Sequence, residues 1–111
     1  MKLSHLSLGV TDLAASEAFY RDILGLPGKR HGDDVRVQWP DFLLVLSERP
    51  PADRSKFHFG FRVNSAAEVD SWAERLRASN VQIISGPASD NGKRQLFFLD
   101  PDQYVLEIYA E

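Results

Sequence analysis

At 111 residues the chain has material for one core and not two, and its balance of 43% hydrophobic to 26% charged residues is that of a folding globular protein. A formal charge of −3 lacks the basic excess that phosphate backbones select, which sets nucleic acid aside as a partner. The absence of cysteine excludes disulfides, zinc–thiolate sites and thiol nucleophiles, so any metal must be held by nitrogen and oxygen ligands.

From the N-terminus, residues 3–10 alternate after Leu3, with Leu6, Leu8 and Val10 on one face and His5, Ser7 and Gly9 on the other, which predicts a strand. No apolar run here suits a signal peptide or a membrane span, so the expected location is the cytoplasm. Thr11 or Asp12 can cap a helix in which Leu13, Ser16, Phe19, Tyr20, Ile23 and Leu24 follow helical spacing until Gly25 and Pro27 stop it. Residues 28–34 are rich in turn formers, with a short strand expected near 27–31 and His31 read as exposed and uninvolved. Val35 to Trp39 and Phe42 to Ser47 read as two strands joined across Pro40-Asp41.

The stretch around Pro50-Pro51 is charged and favours an extended connection over packed structure. After it the order restarts. Phe57 to Val63 reads as a strand, and Ser65 with Glu68 forms a capping box before a helix faced by Val69, Trp72, Ala73 and Leu76. Apolar runs at 81–84, 94–99 and 104–109 follow, separated by Gly86-Pro87, Asn91-Gly92 and Asp100-Pro101-Asp102. The expectation is an α+β fold of two tandem βαβββ modules in one domain spanning 1–111. The first module covers 1–48, the linker 49–56 and the second module 57–111.

Laying His5 onto His58 brings the halves into register and isolates a possible chemistry. His58 shares a strand face with Gly60 and Arg62, opposite Phe57, Phe59, Phe61 and Val63; in the last strand Glu107 lies between Val105 and Tyr109. A desolvated carboxylate costs on the order of several kcal/mol unless it is paired or ligated. His5, His58 and Glu107 together form an N2O ligand set that leaves positions open on a divalent metal. The alternative is that each histidine is an ordinary strand residue and that Glu107 pairs with Arg62 or faces solvent. Alternation further nominates Arg36, Gln38, Val45, Arg62, Gln95 and Phe97 as substrate-facing. Two arginines beside a cation suit an anionic or oxygen-rich small molecule, although arginines at sheet edges also serve simply as solvated residues.

These residues carry a resemblance. The opening His5-Leu-Ser-Leu-Gly-Val-Thr-Asp-Leu, the helix text Ala18-Phe-Tyr-Arg-Asp-Ile-Leu-Gly-Leu, the strand Phe57-His-Phe-Gly-Phe and the run Phe97-Phe-Leu-Asp-Pro-Asp-Gln-Tyr-Val-Leu-Glu107 are together similar to the vicinal oxygen chelate superfamily. That superfamily includes glyoxalase I, fosfomycin-resistance thiol transferases, extradiol dioxygenases and bleomycin-binding proteins. The resemblance implies a curved, partly open mixed sheet around a cavity, helices on its outer face, and metal ligation by His5, His58 and Glu107. It implies one divalent metal (Mn, Fe, Ni, Zn or Co), with Ser7 as the hydroxyl that touches substrate.

Departures from the family are equally specific. Val45 stands where glyoxalase I usually has a carboxylate ligand, and extradiol dioxygenases generally use a longer chain with further acid–base residues. The fosfomycin-resistance branch looks nearest, but its Ser-rich potassium-binding loop reads Gly-Pro-Ala-Ser-Asp-Asn-Gly-Lys-Arg-Gln at 86–95, and its substrate-facing tyrosine is Phe97 here. The chain also ends at Glu111, before that branch's arginine-bearing extension. Gln103 replaces the usual Gly after Asp-Pro-Asp, a position where a left-handed Gln is mildly costly. The expected function is that of a metal-dependent lyase, isomerase or transferase acting on a small molecule, with a thiol as a candidate co-substrate and a homodimer as the expected assembly. The competing expectation is a metal-free drug-binding protein of the bleomycin-resistance type.

Overall fold

In a computed structural model, which describes residues 1–53 and 57–111, each half of the chain takes the strand, helix, three-strand order expected of it. Part of the expected linker, residues 54–56, lies outside the described residues. The chain divides into two compact units, Met1–Ala52 and Asp53–Glu111.

In the first unit, β1 (His5–Val10) is followed by helix α1 (Leu13–Ala18), β2 (Lys29–His31), β3 (Asp34–Trp39) and β4 (Phe42–Glu48). The sheet order is β1-β4-β3-β2, with β1 parallel to β4 and the other pairs antiparallel. Alternation then decides the core. Leu8, Val10, Val35, Val37, Leu44 and Leu46 are all buried, as are Leu13, Phe19, Tyr20 and Leu24 from the helical segment, which packs on β3 and β4. Each such side chain contributes about 1.5–3 kcal/mol on full burial.

The first helix differs from expectation in its second half. Asp12 caps it by accepting from the Ala15 N–H at 3.0 Å, but the α-helix ends at Ala18 and the chain continues as a π-helical segment, Phe19–Ile23. The Leu24 N–H donates to the Phe19 carbonyl, five residues back, and Gly25 then turns the chain at φ 72°. The widened turn rotates less per residue, so the consecutive Phe19 and Tyr20 are both buried, edge to face with centroids 5.5 Å apart. His31 is exposed as expected, although it ends β2 and does not sit in the turn itself.

The second unit repeats the topology. Here β5 (His58–Arg62), α2 (Ala66–Ala78), β6 (Ile83–Asp90), β7 (Lys93–Leu99) and β8 (Val105–Ala110) form a sheet of order β5-β8-β7-β6, again with the first strand parallel to the last. The Ser65 hydroxyl accepts from the Glu68 N–H at 3.2 Å, the cap read from the sequence. At the other end, Asn80 is left-handed (φ 59°), and Val81 and Asn80 donate to the Leu76 and Arg77 carbonyls, a Schellman closure. Val69, Ala73 and Leu76 are buried, as are Leu96, Phe98, Leu106 and Ile108 of the sheet on which α2 packs.

Strand β6 corrects the reading of Gly86-Pro87 as a separator after 81–84. It runs through both residues, with register shifts against β7 between Ile83 and Ser85 and between Ser85 and Ala88. Its position at the sheet edge tolerates a residue without an N–H. Gly86 adopts φ 84°, and a Cβ there would lie 2.5 Å from the Gln95 carbonyl oxygen, so no larger residue fits this close approach.

The turn into β8 positions the strand that matters most below. The Asp100 carboxylate, largely buried, accepts from the Asp102 and Tyr104 N–H groups, each at 2.9 Å, and Gln103 is left-handed at φ 65°, as its place in the turn requires. No helix among the described residues is long and apolar enough to cross a membrane. Asp100→Ala removes the carboxylate acceptor of two buried amides, and an unfolding free energy about 2–3 kcal/mol lower is expected in urea titration, with Asp100→Asn costing less because it keeps an acceptor.

Candidate metal and substrate site

Residues paired directly across neighbouring strands project to the same side of a sheet, so the register defines a face. In the second unit the rows are His58, Val105 and Leu99; Gly60, Glu107 and Phe97; and Arg62, Tyr109 and Gln95. This is the face opposite the buried Leu96, Phe98, Leu106 and Ile108. Glu107 stands at its centre, and its carboxylate is only 8% exposed.

That carboxylate is bracketed by two potential cations. His58 Nε2 lies 3.7 Å from Oε1, too long for a hydrogen bond, and Lys93 Nζ lies 2.9 Å from Oε2. The second contact is an ion pair by distance although Oε2 receives no hydrogen bond of good angular geometry, and charge attraction depends little on direction. Contact with Glu107 raises the Lys93 ammonium above the usual lysine range, while desolvation works the other way. Lys93 also rests 4.5 Å from the Tyr109 ring centroid, and His58 meets the edge of Phe97 with centroids 5.6 Å apart. Gly60 keeps the space beside the carboxylate clear, since a Cβ there would lie 3.0 Å from the Glu107 Cβ and 3.4 Å from Oε1.

The alternative partner for Glu107 read from the sequence, Arg62, shares this face, but among the described residues the ion-pair partners of Glu107 are His58 and Lys93. Lys93 was not singled out from the sequence. The signal was available: Phe97 and Gln95 were assigned to this face by alternation, and two residues further back the same strand brings Lys93 to it.

The first unit has the same layout. Its rows on the corresponding face are His5, Leu43 and Gln38; Ser7, Val45 and Arg36; and Gly9, Ser47 and Asp34. His5 opens β1 as His58 opens β5, and the row of Ser7 and Val45 corresponds to that of Gly60 and Glu107. Val45 is therefore the counterpart of Glu107 in the duplicated module. The nominated Ser7, Arg36, Gln38 and Val45 lie on one face with His5. The Gln38 amide is engaged, donating to the Trp39 and Phe42 carbonyls at 2.6 and 3.1 Å, so it closes its own hairpin. The Arg36 guanidinium stands 3.9 Å from Asp34, whose other oxygen accepts the Ser47 hydroxyl at 2.6 Å.

Among the described residues no group of three or more His, Asp and Glu side chains meets the spacing of a metal site; the second unit supplies the pair His58 and Glu107. The pair fits a divalent transition metal in kind. An imidazole nitrogen and a carboxylate oxygen 3.7 Å apart can both contact one cation at bond lengths of about 2.0–2.2 Å.

The chain is similar to several known proteins. Over 116 residues the chain is 32% identical to a manganese-dependent 2,3-dihydroxybiphenyl 1,2-dioxygenase of Geobacillus genomosp. 3, covering 99% of this chain but only 36% of that longer protein. It is 29% identical to glutathione transferase FosA of Serratia marcescens over 97% of this chain and 79% of that protein. The crystal structure of the fosfomycin resistance protein FosX from Listeria monocytogenes superposes with a TM-score of 0.85 at 25% identity, covering 100% of this chain and 93% of that one. Residues 2–108, nearly the whole chain, match one family, and the protein belongs to the glyoxalase/bleomycin resistance protein/dioxygenase superfamily.

Proposed function

We propose that this chain is a metal-dependent enzyme of its superfamily, acting on a small, oxygen-rich, anionic substrate in a lyase, isomerase or transferase reaction. The observation that carries the proposal is the approach of His58 to a buried Glu107 carboxylate across a gap that Gly60 leaves open. In this reading His5 is the third ligand, supported by its place at the start of β1, the counterpart of His58 in β5. One divalent ion (Mn, Fe, Ni, Zn or Co) held by these three residues supplies Lewis acidity toward substrate oxygens. A relative named as manganese-dependent supports a divalent metal, and one named as a glutathione transferase supports a thiol co-substrate.

The remaining roles belong to the chain itself. Ser7 offers a hydroxyl on the face of His5, Arg36 and Arg62 offer charge for an anionic group, and Val45, Gln95 and Phe97 shape the apolar and polar walls. Gln38 is a weaker contributor because its amide is committed to its hairpin. Val45 in place of a carboxylate argues against the four-ligand site of ordinary glyoxalase I. We further propose that the two modules act as one domain and that the protein works as a cytoplasmic homodimer, with His5 of one subunit joining His58 and Glu107 of the other. Light scattering on the eluting peak should give twice 12.5 kDa, and a monomer alone would reject the dimer.

A second reading is favoured by one observation. Lys93 already neutralises Glu107, so the buried charge does not require a metal, and the same face could bind a ligand without chemistry, as bleomycin-binding proteins do. Elemental analysis of protein purified without chelator separates the two. A stoichiometric transition metal supports the enzyme; none, even after reconstitution, supports the binder.

On the metal-dependent reading, His58→Ala and Glu107→Gln are each expected to weaken metal binding by more than about tenfold in calorimetric titration, since changes to groups merely supporting metal ligands already cost about 10–100-fold. Unchanged affinity in both would defeat the assignment. Gly60→Ala is expected to push Glu107 aside and weaken the metal severalfold while circular dichroism shows the fold retained; an affinity equal to the wild type would show that the gap has no part in binding.

A further inference from the structure

We infer that Lys93 is a built-in competitor for the metal: its ammonium serves as the counter-ion of Glu107 when no metal is bound and sets how tightly a divalent cation can bind. The inference rests on the metal-dependent reading above and concerns a residue to which that reading gives no role.

The geometry is specific. Glu107 receives His58 on Oε1 and Lys93 on Oε2, so the two oxygens of one carboxylate face two different partners, an imidazole and an ammonium. Lys93 is the first residue of β7, directly after the Asn91-Gly92 turn, and its stem follows the sheet face so that its amino group reaches Glu107 and the Tyr109 ring at once. Without Lys93, the Glu107 side chain, 8% exposed, would be left among the described residues with a histidine side chain that is 53% exposed. A buried carboxylate left without its cation is strongly destabilising, so Lys93 supports the metal-free fold.

The same contact opposes metal loading. A divalent ion held by His58 and Glu107 would share the carboxylate with an ammonium 2.9 Å from it, and the two cations repel across a few ångströms. Either the ammonium withdraws or the metal binds less tightly. Withdrawal is feasible because the Lys93 side chain is 35% exposed and the Tyr109 ring, 4.5 Å away, offers a second attraction for the charge. Lys93 therefore trades metal affinity for order of the unloaded site.

The test is calorimetric titration of the full chain with manganese chloride, comparing wild type with Lys93→Met, which keeps the stem and removes the charge, and Lys93→Arg, which keeps the charge. Lys93→Met is expected to bind manganese about tenfold more tightly, the scale on which groups around metal ligands tune affinity, and Lys93→Arg to stay within about threefold of the wild type. Thermal unfolding gives a second readout: without metal, Lys93→Met should melt below wild type, and manganese should raise its melting temperature by more than it raises that of the wild type. Lys93→Gln serves as the neutral variant if Lys93→Met does not fold. Binding by the neutral variant alone supports the inference. Equal or weaker manganese binding by the neutral variant, while wild type binds, overturns it and leaves the metal reading intact. No binding by any of these proteins overturns both.

Discussion

One buried negative charge organises the second unit. Placing the Glu107 carboxylate in the middle of a sheet face costs several kcal/mol unless something positive or hydrogen-bonding meets it. The surrounding residues answer that demand: His58 approaches one oxygen, Lys93 the other, and Gly60 opposite contributes no side chain that would fill the gap. The other face of the same strand carries Leu106 and Ile108 beneath α2. A single alternating strand thus separates a greasy core from a charged face by the pleat alone.

Duplication supplies the scaffold and its asymmetry. Both units pair their first strand in parallel with their last and hang an antiparallel hairpin beyond it, so corresponding residues fall at corresponding points of each sheet. At the point where the second unit has Glu107, the first has Val45; where the second leaves space with Gly60, the first has Ser7. One module thereby carries an imidazole and a carboxylate on this face, the other an imidazole and a hydroxyl, and each carries an arginine. Relatives named as a dioxygenase and as a glutathione transferase show one framework accompanying different chemistries.

Both units also show a local backbone departure where a uniform element would have failed. The π-helical segment lets Phe19 and Tyr20 face the core together, and the shifted register of β6 absorbs Gly86 and Pro87 at an edge where a missing N–H costs little. Neither departure interrupts the order of elements. Each changes which residues point inward over one turn or one bulge and leaves the next element in place.

The sequence by itself determined what depends on local period and short-range capping. Period-2 alternation in β1, β5 and β8 assigned His5, His58 and Glu107 to the faces they occupy, and the cap candidates Thr11 or Asp12 and Ser65 marked the helix starts, because these signals act over a few residues of backbone. The repeat of architecture was legible for the same reason. Only the tertiary structure decided which charge meets Glu107. Lys93 and Glu107 are on adjacent antiparallel strands whose register, set by the intervening turn and by burial of the opposite face, brings them to 2.9 Å; the nearer-looking candidate, Arg62, shares the face without forming that pair. Side-chain pairing across a sheet is a property of register and reach, and neither is written in the spacing of one strand.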